Sequence, residues 1–313
     1  MNGTFTPALP AKTGTRWVLR RFAQHRLALV SAAIIICLAA SAVAAPLIEA
    51  ALGIDADAVD LFNRYGPPSA AHPLGTDELG RDVLIRLLYG GQVSLFVGLT
   101  ATIAAALIGT CIGLMSGYIG GRTDAVIMRI TDGVIALPVL PLLIVLAAID
   151  LNKLGLPEGI VGSENASLYR IVAIVALVGW TTVARLVRAT TLALKARPFV
   201  EAARAQGAGP IRIMARHILP NLASPIIVAT TLAVGNVILL ESVLSFLGLG
   251  IQPPIPSWGN LLTGAQETIW QAPGLAFYPG MLIFVTVVAF NFVGDGLQDA
   301  LDPRARNRQS ERV

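Results

Sequence analysis

Side chains able to do chemistry are sparse in this chain, and none is spaced for a reaction. A metal site needs clustered ligands, but His25, His72 and His217 are far apart in sequence. The two cysteines, Cys37 and Cys111, each lie inside an apolar run, which argues against a disulfide framework and against a thiolate metal site. No phosphate-cradling loop of the form GxxxxGK[ST] occurs, so a nucleotide site of that kind is excluded. HExxH, CxxC and GxSxG are missing as well. The expectation is a protein with no catalytic residue, no metal site and no cofactor of its own.

The remaining ionisable groups stand in an apolar background. Of 313 residues, 55% are hydrophobic and 13% charged, and the mean hydropathy is +0.70. Soluble domains carry about a quarter charged residues, so an ordinary soluble enzyme is excluded. A formal charge of +4 is too small to indicate a nucleic-acid partner. Roughly 20 mostly apolar residues cross a bilayer as a helix. Six stretches qualify: 27–48, 93–117 (the centre of the charge-free run 87–121), 126–149, 168–187, 218–240 and 275–294. Pro138 and Pro141 remove backbone donors in the third and should kink it. An all-α membrane protein with six transmembrane helices is predicted.

Basic residues collect on the cytoplasmic side of a membrane protein. With the N-terminus inside, eighteen of the 23 Lys and Arg fall in inside segments. Only Arg64, Arg81, Arg86 and Lys153 fall outside, and Arg170 sits at a boundary. Both termini are therefore predicted cytoplasmic, with a basic segment 1–26 and a tail 300–313. The three histidines then lie on different sides of the bilayer. The first apolar run exceeds a signal-peptide core of about 7–15 residues and reads as an anchor. The outside loop 49–92 carries Gly66-Pro67-Pro68 and His72-Pro73-Leu74-Gly75-Thr76-Asp77, a turn-rich composition that argues against regular structure. The last outside loop holds Pro253-Pro254 and the interface-suited Trp258 and Trp270.

Ionisable groups within spans are costly and often functional. Arg129 and Asp132, three apart on one helical face, read either as a local ion pair or as a gating pair. Glu241, which closes the fifth span, reads equally as a group at the outer headgroup level or as one facing a pathway. Arg170 is expected to snorkel.

The inside loop between spans four and five has a different character. Pro198 can open a helix, Glu201 suits the positive end of its dipole, and Ala202, Ala203 and Ala205 keep its surface thin. Gly207, followed by Ala208-Gly209-Pro210, ends that helix and turns the chain. A second short helix should then lead to Pro220 at the mouth of the fifth span. The product is a low helical hairpin, a shape suited to docking.

Glu201-Ala202-Ala203, Gly207 and the closing Ile218-Leu219-Pro220 resemble the EAA loop of ABC importer permeases. His217 departs from the general pattern, which has Ile there, but fits the dipeptide, oligopeptide and nickel branch. His72-Pro73-Leu74-Gly75-Thr76-Asp77-Glu78-Leu79-Gly80-Arg81-Asp82 and Leu244-Ser245-Phe246-Leu247-Gly248-Leu249-Gly250 resemble the same branch. The basic segment and single helix ahead of the rest resemble its C-type permease subunit. The resemblance implies a type I importer permease fold in a bacterial inner membrane, with residues 93–299 as the permease domain. It implies that 198–220 is the coupling loop, with Glu201, Ala202, Ala203, Gly207, His217, Leu219 and Pro220 as its docking residues. It further implies a second homologous permease in a heterodimer, two cytoplasmic ATPase subunits that bind ATP and Mg, and an extracytoplasmic solute-binding protein. Di- and oligopeptides are the favoured cargo, and nickel chelates, glycosides and opine-like solutes are the alternatives. An intramembrane enzyme lacks paired polar groups here, and an ion-coupled secondary transporter lacks visible inverted repeats.

Overall fold

A computed structural model describes residues 15–149 and 165–301, and among them no β-strand occurs. The expectations for 1–14, Lys153 and most of the tail lie outside the described residues. Ten helices carry the architecture: α1 Thr15–Phe22, α2 Arg26–Val43, α3 Ala45–Leu52, α4 Val83–Ile119, α5 Gly121–Ala136, α6 Val139–Ala147, α7 Ala166–Lys195, α8 Pro198–Ala205, α9 Leu219–Phe246 and α10 Gly274–Leu301. Helices α2, α4, α7, α9 and α10 are long and apolar enough to span a membrane. Helices α5 and α6 together are apolar enough for a sixth span but meet at an 89° bend, which gives five or six candidate spans.

That bend exceeds the expected kink, and its cause is local. A residue before proline is pushed out of the helical region, and Leu137 is extended with φ −77° and ψ 138°. Pro138 then caps α6, and Pro141 falls in the first turn of that helix, where a missing donor costs nothing.

Helix α4 starts at Val83, ten residues before the predicted 93. Asp82 caps it by accepting the Ile85 N–H at 2.9 Å. Arg86 does not end the helix because it is buried beside Asp57 (3.3 Å) and Asp77 (3.6 Å). The loop after α2, within 49–92, is also more ordered than its composition indicated. Helix α3 occupies its start, and a 3₁₀ turn spans Leu61–Asn63. Asp77 gathers the Leu79 and Arg81 amides and the Arg81 guanidinium. Side-chain acceptors thus satisfy a backbone that has no helix or sheet to do so.

The centre of the molecule is the pair α4 and α7, which pack backbone to backbone. A Cβ on Gly109 would lie 2.5 Å from the Trp180 carbonyl oxygen, and one on Gly113 2.4 Å from that of Ala184. Small residues four apart allow this close approach, which membrane helices use because lipid supplies no hydrophobic drive between them. One apolar cluster joins Val97, Leu143, Ile171, Val175 and Leu244 across α4, α6, α7 and α9. A second joins Leu87, Ile238, Trp258, Ile283 and Phe290. A third, at the opposite end of α7, joins Val183, Val187, Val200, Ile213, Ile218 and Leu222.

Candidate coupling hairpin and transmembrane polar residues

The third cluster mounts the hairpin. Val200 is fully buried and Ala203 is 7% exposed, so one side of α8 is fixed on Val183 and Val187 of α7. Pro198 occupies the first turn of α8, as its sequence indicated. At the far end Gly207 has φ +81°, the left-handed region. The Gly207 N–H donates to the Arg204 carbonyl at 3.0 Å, and the Ala208 N–H to the Ala203 carbonyl at 3.0 Å. These two bonds are the Schellman closure that favours glycine.

The return limb differs from the expected second helix. A single turn at Pro210–Arg212 passes into a π-helical turn, Ile213–Ile218, which runs into α9 without a break. Ile213, Ile218 and Leu222 are buried, and they seat this limb on the same cluster as α8. Pro220 falls in the first turn of α9, where proline is tolerated.

Glu201, Ala202, Gly207, Leu219 and Pro220 are exposed, His217 is half-buried, and Ala203 faces inward. Two side chains missed in the sequence stand out on the exposed surface: Phe199, and Ile211 at 79% exposure. Each directly follows the proline that opens its limb. That Pro-apolar pairing was a readable signal.

The expected local pair of Arg129 and Asp132 does not form. Asp132 pairs instead with Arg185 on α7, and Arg129 makes no ion pair among the described residues. The i, i+3 spacing made a local pair possible, but α7 runs beside α5 and presents a guanidinium. Asp124, eight residues before Asp132, is held by the Arg188 guanidinium and by Ser116 at the end of α4. Two ion pairs thus tie α5 to α7, while Thr131 is the one α5 residue buried.

Glu241 lies inside the fold of this chain, near the end of α9. It is fully buried, with Ser245 at 2.7 Å, Ser94 of α4 at 3.2 Å and Ser242 at 3.5 Å. Arg170 is half-buried, and its Nε has no hydrogen-bond partner among the described residues.

Five long apolar helices, a bent pair that can count as a sixth span, and a mounted hairpin define the architecture of a membrane protein. Comparison with known proteins gives the family. Residues 109–307 match the binding-protein-dependent transport system inner membrane component, and residues 15–68 match the N-terminal TM domain of oligopeptide transport permease C. The chain is 38% identical to the oligopeptide transport system permease protein OppC of Bacillus subtilis (strain 168), over 91% of this chain and 88% of that protein. It is 41% identical to the glutathione transport system permease protein GsiD of Escherichia coli O6:K15:H31, over 95% and 93%. It is 38% identical to the dipeptide transport system permease protein DppC of Alkalihalophilus pseudofirmus, over 93% and 90%. The chain belongs to the family of inner-membrane permease components of binding-protein-dependent ABC importers. Such systems work with a solute-binding protein and with ATPase subunits, and hydrolysis resides in those subunits rather than in the permease.

Proposed function

We propose that this chain is one of two homologous permease subunits, paired as a heterodimer, that line the import pathway for di- or oligopeptides. The observation that carries the reading is the hairpin. It is an alanine-surfaced helix closed by a left-handed glycine and pegged by buried Val200, Ile213 and Ile218 onto the ends of two membrane helices. A rigidly mounted projection transmits displacement, whereas a loose loop absorbs it. Relatives named for oligopeptide and dipeptide transport support peptides as the cargo.

In this reading both termini and the hairpin are cytoplasmic, and two ATPase subunits grip the hairpins of the permease pair. ATP and Mg bind in the ATPases and not in this chain. Closure of the ATPase pair draws the hairpins together, and the pathway changes the side to which it opens. An extracytoplasmic binding protein supplies the solute. Exposed Glu201, Ala202, Gly207, Leu219 and Pro220 face the ATPase, while Ala203 and half-buried His217 hold their shape.

The test is uptake of a labelled dipeptide into vesicles holding this chain with its second permease, ATPases and loaded binding protein. Uptake is expected only with ATP on the hairpin side. Peptide uptake driven by an ion gradient without ATP would overturn the reading.

A further inference from the structure

Glu241 sits five residues before the end of α9, at full burial, and its neighbours are hydroxyl groups. The directions of their bonds follow from donor and acceptor chemistry. Ser245 Oγ accepts the Ile251 N–H at 3.0 Å, so its one proton is free to donate to Glu241 Oε1 at 2.7 Å. Ser94 Oγ, on α4, accepts the Trp258 N–H at 3.1 Å and donates to Oε2 at 3.2 Å. Ser257, next to Trp258, accepts the Asn260 N–H at 3.1 Å. Relays that begin at backbone amides on both ends of segment 251–258 thus end on one carboxyl.

Steric fit reinforces the relays. A Cβ on Gly259 would lie 2.5 Å from Ser242 Cα, and one on Gly250 2.5 Å from Ser245 Cα. Trp258 is buried, and its indole N–H donates to the Leu87 carbonyl at 3.0 Å. The segment held this way lines a cavity of about 280 Å³ through Ile251, Gln252 and Asn260, together with Asp77, Arg81 and Arg86. The other end of α9, 28 residues and about 42 Å away, continues directly into the coupling hairpin.

We propose that Glu241 is a positioning residue for transport. It locks the segment after α9 onto that helix, so that the cavity wall and the coupling hairpin are the two ends of one rigid element. The inference rests on the function proposed above and adds the part that carries displacement between the two faces of the membrane.

The test uses the complete transporter in lipid nanodiscs and in vesicles, with hydrogen exchange and ATP-driven dipeptide uptake as separate readouts. In Glu241→Ala, amide exchange across 250–260 is expected to rise at least tenfold while α8 exchanges as before, and uptake is expected to fall at least tenfold. The double change Ser94→Ala with Ser245→Ala leaves the carboxyl in place and is expected to reproduce both effects. A pathway-facing role for Glu241 itself would leave the double variant active. Glu241→Gln keeps the shape but sets an NH₂ donor against a serine proton, and should fall between wild type and Glu241→Ala. Should Glu241→Ala fail to insert, the double variant carries the test.

Unchanged exchange across 250–260 would overturn the hub. Faster exchange with uptake within twofold of wild type would overturn its part in transport. If the wild-type complex took up no peptide, the functional reading would fail, while the exchange result would still decide whether Glu241 holds the segment.

Discussion

Two connections flank α9, the hairpin before it and the segment 247–264 after it. Both are rich in glycine and proline, and both lie between membrane helices. They are held in different ways. The hairpin shows most of its polar surface and is pegged from beneath by buried aliphatic side chains. The later segment turns inward, with Ser257 and Trp258 buried against α4 and α9. Their glycines differ accordingly. Gly207 has φ +81° and open space where a Cβ would stand, so its requirement is conformational. Gly259 has an ordinary backbone, and its missing Cβ makes room for Ser242. One residue type thus serves exposure in one place and close packing in the other.

The largest effect is expected where packing leaves no room. Gly259→Ala sets a methyl 2.5 Å from Ser242 Cα and 2.8 Å from its carbonyl oxygen, so backbone must move. Overpacking of this kind costs about 1–3 kcal/mol, and the loss should appear as a lower thermal aggregation midpoint in detergent. Uptake should fall with it. An unchanged midpoint would show that the segment is looser than its hydrogen bonds imply, and the contrast with the hairpin would break.

Gly207→Trp comes next and should separate stability from transport. Any side chain at that φ meets a conformational cost of about 1–2 kcal/mol. Among the described residues nothing lies within 4 Å of an added Cβ, so the alanine methyl meets open space and extra bulk is expected to act on a docked partner. Gly207→Ala and Gly207→Trp should therefore have similar melting behaviour but very different ATPase retention on co-purification. Equal retention in the two variants would reduce Gly207 to a backbone requirement.

The two regions were unequally legible in the sequence. The hairpin is written locally: Pro198, Glu201, the alanines and Gly207 fall within ten residues, and each has one physical meaning. The membrane helices were legible as apolar runs, apart from the start of α4, where a buried Arg86 imitates a boundary. Glu241 was not legible, because Ser94 lies 147 residues away in sequence and nothing local marks it as a partner. The Asp132–Arg185 pair failed for the same reason, being 53 residues apart. Local capping and turn chemistry can be read from one sequence. Polar pairing across helices depends on the packing.

A smaller effect is expected at Ile211, the exposed apolar tip of the hairpin. Full burial of an isoleucine side chain against a partner stabilises by up to about 1.5–3 kcal/mol, so Ile211→Ser should weaken ATPase binding by about tenfold or more. The fold should not notice, since the side chain touches little within the chain. Titration of detergent-solubilised complex with ATPase would measure the change, and an unaltered affinity would place the docking surface elsewhere on the hairpin.

The smallest effect is expected at Glu201, and its value is as a control against Glu241. Both are glutamates on helices beside α7 or α4, and both can be changed to glutamine with little change of shape. Glu201 is exposed in the first turn of α8, where its charge meets the positive end of the helix dipole. Such an interaction contributes about 0.3–1 kcal/mol and is screened by salt. Glu201→Gln should therefore shift melting by little and weaken ATPase retention modestly, with the difference fading as salt is raised. Glu241 is fully buried among serines, out of reach of salt, so the effect of Glu241→Gln should persist at every ionic strength. Parallel salt titrations of uptake in the two variants put the comparison to a single measurement. Curves that fade together would mean that Glu241 is solvated in the working transporter, and the description of its segment as the inward-held partner of an outward-facing hairpin would be wrong.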